Sequence, residues 1–100
     1  MSPFEVHRSN DETTLTIRGS LDINSAPALN DEIDRIVPTR PPKMLVDLAM
    51  LDLIDSSGVA ALVKLYKEIR KSGGIFKITG ARDQPLAIFR LLRMDKIFDL

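Results

Sequence analysis

The chain contains no cysteine, no tryptophan and a single histidine in its 100 residues. Without thiols it can form neither a disulfide nor a thiolate metal site, which fits a reducing compartment. One histidine, His7, rules out a metal centre built from several imidazoles. No apolar run approaches the ~20 residues of a membrane span. Met1-Ser2-Pro3-Phe4-Glu5 lacks the basic and apolar regions of a signal peptide. A cytoplasmic location without membrane insertion is therefore expected. Glycine-rich phosphate loops are missing too: Gly73-Gly74 has no following Lys-Ser/Thr. Net charge is zero, which gives no support to nucleic-acid binding, where a strongly basic face is expected.

What is present is an ordinary folded composition, 44% hydrophobic and 28% charged. The length fits one domain over residues 1–100, with one hydrophobic core. Charge is unevenly spread. Residues 1–58 hold ten acidic and five basic side chains, residues 59–100 four and nine. The resulting −5 and +5 either polarise the surface toward a protein partner or cancel by interleaving in the fold.

Phe4 to Arg8 reads as a short strand, and Thr13 to Arg18, alternating and β-branched, as its hairpin partner. Gly19-Ser20 breaks the pattern. Ser25 is a candidate N-cap, with Pro27 in the first turn and Leu29, Ile33 and Ile36 forming one apolar stripe. Pro38-Thr39-Arg40-Pro41-Pro42 ends that helix. The apolar run Lys43 to Leu48 predicts a central strand covered on both faces. From Ser57 the period is helical, with Val59, Leu62, Val63, Tyr66 and Ile69 on one face and Lys64, Lys67, Arg70 and Lys71 mostly on another. Gly73-Gly74 stops the helix. Ile75 to Thr79 is the next strand. Asp83-Gln84-Pro85 opens a last helix, with Leu86, Ile88, Phe89, Leu91 and Leu92 as core candidates and Ile97-Phe98 packing back. The expected fold is α/β, a single mixed sheet with packed helices in the order β-β-α-β-α-β-α.

Asp55-Ser56-Ser57-Gly58, between an apolar strand and an amphipathic helix, is the stretch with most chemical content. Asp, Ser and Gly suit a helix start for structural reasons alone. The same place favours an anion, because free N–H groups and the positive end of the helix dipole meet there. A serine nucleophile would need a base within hydrogen-bond reach, and His7 on the first strand is the sole candidate. Asp47, Asp52 and Asp55 could form a metal cluster, although the positions of Asp47 and Asp55 at a strand end and a helix start are common solvated ones. The basic run along the second helix could bind an acidic partner or lipid head group, or simply be a solvated face whose last cations complement the dipole. No complete catalytic set is present, so an enzyme is not expected, nor is a metal or cofactor.

The setting of that turn resembles the STAS domain family, of the anti-sigma factor antagonist type. Gly19-Ser20-Leu21-Asp22 followed by Asn24-Ser25-Ala26-Pro27-Ala28-Leu29 is similar to its first signature. Val46-Asp47-Leu48 and Leu53-Ile54-Asp55-Ser56-Ser57-Gly58-Val59 are similar to its second, with Val59 where leucine is frequent. The tail from Ile78-Thr79-Gly80 to Ile97-Phe98 also follows the pattern. The resemblance implies a partner-switching module with Ser57 as phospho-acceptor. Asp22, Ser25, Asp55, Ser56, Gly58 and Val59 would then belong to the partner surface, with Gly58 keeping the approach open. It implies an anti-sigma factor with serine-kinase activity as partner and a serine phosphatase for reset, with ATP and magnesium bound by the kinase. Two alternatives stand beside it: a STAS subunit docked constitutively in a lipid-transport or stress-sensing complex, and a small hydrolase using Ser57 as nucleophile.

Overall fold

Strand β1 (Phe4–Ser9) and strand β2 (Glu12–Ile17) form the antiparallel hairpin that the alternation of Thr13 to Ile17 dictates. They are described in a computed structural model covering residues 2–100. The chain continues through β3 (Gly19–Leu21), α1 (Ala26–Ile36), β4 (Lys43–Asp47), β5 (Leu51–Ile54), α2 (Ser56–Lys71), β6 (Ile75–Thr79) and α3 (Asp83–Leu91). The main sheet has the order β1-β2-β4-β6, with β2, β4 and β6 parallel. A mixed sheet with three helices is the expected architecture.

Two features of the strands depart from the expectation. Gly19 to Leu21, whose first two residues read as a break, and Leu51 to Ile54, the stretch before the serine turn, are strands that pair in parallel as a separate two-stranded ladder. They are short and have no alternation, so periodicity cannot find them. The second correction concerns β4. Its apolar run was expected to be covered on both faces, yet only Met44 and Val46 are buried, while Leu45 is half-exposed. The sheet is covered on one side. Leu15, Ile17, Met44, Val46, Phe76 and Ile78 point into a single core. Its other face carries His7, Thr14, Leu45 and Lys77 in one cross-strand row. A second row places Glu12 opposite Lys43 as a 3.3 Å ion pair.

Spacing explains the helical layer. Ala26, Leu29, Ile33 and Ile36 are the buried positions of α1, and Gly58, Val59, Ala61, Leu62, Leu65 and Ile69 those of α2. Each set is one stripe at a 3.6-residue period. Gly73, at φ +85°, ends α2 in the left-handed region that glycine adopts freely. In α3 the apolar expectation is only partly met. Phe89 is fully buried, Leu86 and Ile88 are half-buried, and Leu91 and Leu92 are exposed. The helix ends at Leu91 and Arg93 turns the chain at φ +58°, so the last two leucines never reach the core. Phe98 does pack back, while Ile97 stays exposed. Its ring lies 5.6 Å from those of Tyr66, Phe76 and Phe89, closing the core with an aromatic cluster. Among the described residues no helix is long and apolar enough to cross a membrane.

Candidate functional site

The serine turn lies where β5 ends and α2 begins. Asp55 is extended at φ −113°, ψ −174°, the conformation of an N-cap, and its Oδ1 accepts from the Gly58 amide at 3.1 Å. The Asp55 amide donates to the Leu21 carbonyl (3.1 Å), which fixes the turn to β3. Val59 returns the first intrahelical bond, to the Asp55 carbonyl. This leaves the Ser56 and Ser57 amides among the unpaired donors of a helix start. Ser56 is exposed and Ser57 half-buried, and no hydrogen bond engages either hydroxyl among the described residues.

Asp55 has a second task. Its Oδ2 accepts from the Ile23 amide (3.2 Å), 32 residues earlier. The loop between β3 and α1 is thus hooked to the serine turn. That loop is also bonded within itself. Asp22 Oδ1 accepts from the amides of Asn24 and Ser25, at 2.9 and 3.2 Å. The Ser25 hydroxyl donates to the Ser20 carbonyl and accepts from the Asp22 amide, both at 2.9 Å. Ser25 is the residue before α1, as its sequence position implies, but its hydroxyl ties the loop together and does not cap the helix.

Gly58 and Val59 need correction as surface residues. Val59 is 7% exposed and lies in the core. Gly58 is buried, and a Cβ there would sit 2.7 Å from Leu21 Cγ and the Leu21 carbonyl oxygen and 2.8 Å from Ile54 Cγ1. Its lack of a side chain brings α2 against β3 and β5. It does not open an approach from solvent. Three residues that sequence reasoning missed do reach the site. Ile23 and Leu53 are 70% and 54% exposed, large apolar side chains flanking the acidic turn. Gln84, from the start of α3, joins Ser20, Leu21, Asp22, Leu53 and Asp55 around a shallow cavity of about 280 Å³. An isoleucine inside the polar Asp22-Ile23-Asn24 segment is a readable signal. Nothing in the sequence marks Gln84.

The other candidate residues are engaged elsewhere. His7 pairs in register with Thr14 on the open face of the sheet and has no hydrogen bond to Ser57. Asp47 accepts from the Ala49 amide, and Asp52 pairs with Arg82 at 3.3 Å. Arg82 also donates to Asp83 and the Ala49 carbonyl, and the Asp83 and then Asp52 carboxylates hold its guanidinium above the usual arginine range. Asp47, Asp52 and Asp55 therefore each answer to a different structural partner, and no group of three possible metal ligands lies together among the described residues. Along α2, Lys64 reaches Asp34 at 3.8 Å, while Lys67, Arg70 and Lys71 are exposed.

The same architecture occurs in known proteins. An anti-sigma factor antagonist from Mycobacterium paratuberculosis superposes with a TM-score of 0.85 at 25% identity, over 95% of this chain and 80% of its own. The phosphorylated form of SpoIIAA from Bacillus has the same fold at a TM-score of 0.76 and 15% identity, over 93% and 86% of the two chains. In sequence, the anti-sigma-B factor antagonist of Bacillus subtilis (strain 168) is 24% identical over 98 residues, spanning 96% of this chain and 87% of that protein. The family model described as Mlab, STAS domain matches residues 4–100. The mixed sheet with three covering helices, the serine turn at the start of α2 and this near-complete match give one conclusion: the chain belongs to the STAS domain family.

Proposed function

We propose that the protein is an anti-sigma factor antagonist, a STAS-type module over residues 1–100 that switches cytoplasmic partners through Ser57. The observation that carries this reading is the placement of Ser57. Its hydroxyl is uncommitted, two residues past the Asp55 cap, at a helix start with free amides, and the cap itself is bonded to the exposed Ile23 and lines a cavity with the exposed Leu53.

In the unphosphorylated state, Ile23 and Leu53 would supply the apolar part of the contact, with Asp22, Asp55 and Ser56 around them. The partner in this reading is an anti-sigma factor, in keeping with the antagonist relatives, and it is also the serine kinase that modifies Ser57. Transfer forms a bond from Ser57 Oγ to the γ-phosphorus of ATP. It breaks the bond to the ADP oxygen, and the serine proton leaves to a base on the kinase. ATP and magnesium belong to that partner. The phosphate adds about −1.5 to −2 charges. The free amides at the start of α2 would donate to its oxygens, so the fold survives. A partner packed on the turn would meet added bulk and a charge of the same sign as Asp22 and Asp55. Losing ~3 kcal/mol of binding weakens affinity more than a hundredfold. A serine phosphatase then resets the module.

The test is to incubate the protein with each candidate serine kinase of its own organism and ATP, and to locate phosphate by mass spectrometry. Stoichiometric phosphate on Ser57, lost in Ser57→Ala and kept in Ser56→Ala, is the expected result. Full phosphorylation of Ser57→Ala would remove the assignment. A partner that co-purifies stably with both wild type and Ser57→Glu would instead establish a constitutively docked subunit.

A further inference from the structure

β5 has one free edge, and the serine turn hangs from its end. The Asp55 amide bonds to Leu21, so on β5 the neighbouring Ile54 N–H and C=O point away from β3. Among the described residues no strand lies on that side. The side chain of Gln84 takes its place. The Ile54 amide donates to Gln84 Oε1 at 2.9 Å, and Gln84 Nε2 donates to the Ile54 carbonyl at 2.9 Å. One carboxamide thus presents the acceptor and donor that a third strand would have offered. Gln84 is itself held on both sides. Two residues earlier Arg82 bonds the Ala49 carbonyl and Asp52, and one residue later Pro85 is buried. Phe89 anchors the same helix in the core. The residue after Ile54 is the cap Asp55, and Ser57 follows two positions later.

We infer that Gln84 is a positioning residue for the serine turn: its carboxamide, clamped on Ile54, fixes the direction in which Asp55 and Ser57 leave the sheet. α3 thereby joins β3, the β3–α1 loop, β5 and the start of α2 as a contributor to the site. The kinetic arm of the test rests on the proposed role of Ser57. The structural arm does not.

Gln84→Glu and Gln84→Leu test the inference together. A carboxylate still accepts from the Ile54 amide but offers no donor to the Ile54 carbonyl, whereas a protonated carboxyl restores both. Leucine restores neither at any pH. The first readout is amide hydrogen exchange, with protection compared to wild type at each pH. At pH 7 Gln84→Glu, which keeps the Ile54 amide bonded, should lose about tenfold in protection at Asp55, the scale of one lost half-buried hydrogen bond, and Gln84→Leu, which loses both bonds, at least about tenfold at Ile54 and Asp55. Between pH 7 and pH 4 Gln84→Glu should regain it and Gln84→Leu should not. The second readout is kcat/KM for phosphate transfer to Ser57 at pH 7, expected to fall about tenfold in both. Val6→Ala, at the far edge strand, serves as a control that lowers global stability without touching the turn.

Unchanged protection in both variants would overturn the inference. So would a loss in Gln84→Glu that acidification does not reverse, or phosphate transfer that falls no further than in Val6→Ala. If wild type accepts no phosphate from any kinase, the proposed function fails, and the exchange profile still decides the role of Gln84.

Discussion

Replacing Gly58 by alanine separates two accounts of that residue by the sign of the effect. A glycine in an exposed helix gains up to ~1 kcal/mol of stability on becoming alanine, because the backbone loses less freedom on folding. Gly58 is not exposed. The new methyl carbon would lie 2.7 Å from Leu21 Cγ and 2.8 Å from Ile54 Cγ1. Those side chains can shift. The third neighbour, the Leu21 carbonyl oxygen at 2.7 Å, is backbone and also accepts the Asp55 amide. It cannot retreat without loosening β3 from the serine turn. Overpacking of this kind costs ~1–3 kcal/mol. Set against the helical gain, Gly58→Ala should destabilise by ~1–2 kcal/mol, a fall in Tm of roughly 5–15 °C for a domain of this size. Urea and thermal denaturation of wild type and variant measure it. Leu21→Ala removes a fully buried side chain and carries its own cost of ~2–5 kcal/mol. The Leu21 part of the clash is therefore read from the cycle: Gly58→Ala should cost less in the Leu21→Ala background than in wild type. A Gly58→Ala protein as stable as wild type, or more so, would refute the argument that close packing explains the glycine.

Asp55→Ala removes the Gly58 and Ile23 bonds together and should cost ~1–2 kcal/mol in urea unfolding, the range of a lost N-cap. Ile23→Ser should leave stability within about 0.5 kcal/mol yet weaken kinase binding by about tenfold or more by calorimetry, since the side chain is 70% exposed at the proposed contact. Phe98→Ala should lose ~3–5 kcal/mol, whereas Leu91→Ala, 76% exposed seven residues earlier, should stay within about 0.5 kcal/mol in the same denaturation series. Asp34→Asn breaks the 3.8 Å contact to Lys64 on the surface and should change stability by less than ~1 kcal/mol, with no effect above 0.5 M salt.

The elements that sequence revealed are those whose signal is local. Alternation over Thr13 to Ile17, the stripe Leu29, Ile33, Ile36, and the Gly73 stop each depend on residues within a few positions of one another. The serine turn was legible for the same reason: cap, hydroxyls and glycine are consecutive. What stayed hidden depends on distant pairing. The ladder of β3 and β5 joins residues over thirty positions apart and is too short for a period to appear. The Asp55–Ile23 hook and the Gln84 clamp span 32 and 30 positions and use single side chains. The misreading of β4 has another cause. Leu45 is apolar on the open face, so a run that alternates in burial does not alternate in type. The expected core leucines of α3 fail because apolar spacing says nothing about where a helix ends. Gly58 was placed correctly in the chain and given the wrong reason, since only its neighbours across the fold show what a side chain would strike.

The hairpin that opens the fold has a practical corollary. β1 runs antiparallel to β2, so Phe4 stands opposite Ile17, at the carboxyl end of the three parallel strands. The Arg18 amide donates to the Pro3 carbonyl there, and Gly19 bonds Met50 just beyond. The ladder carrying the serine turn starts from the same end. Ser2 therefore lies at the same end of the parallel strands as the ladder that carries the serine turn. An affinity tag ahead of Ser2 starts from the end of the sheet on which the proposed partner docks, so binding constants are best measured with such a tag removed.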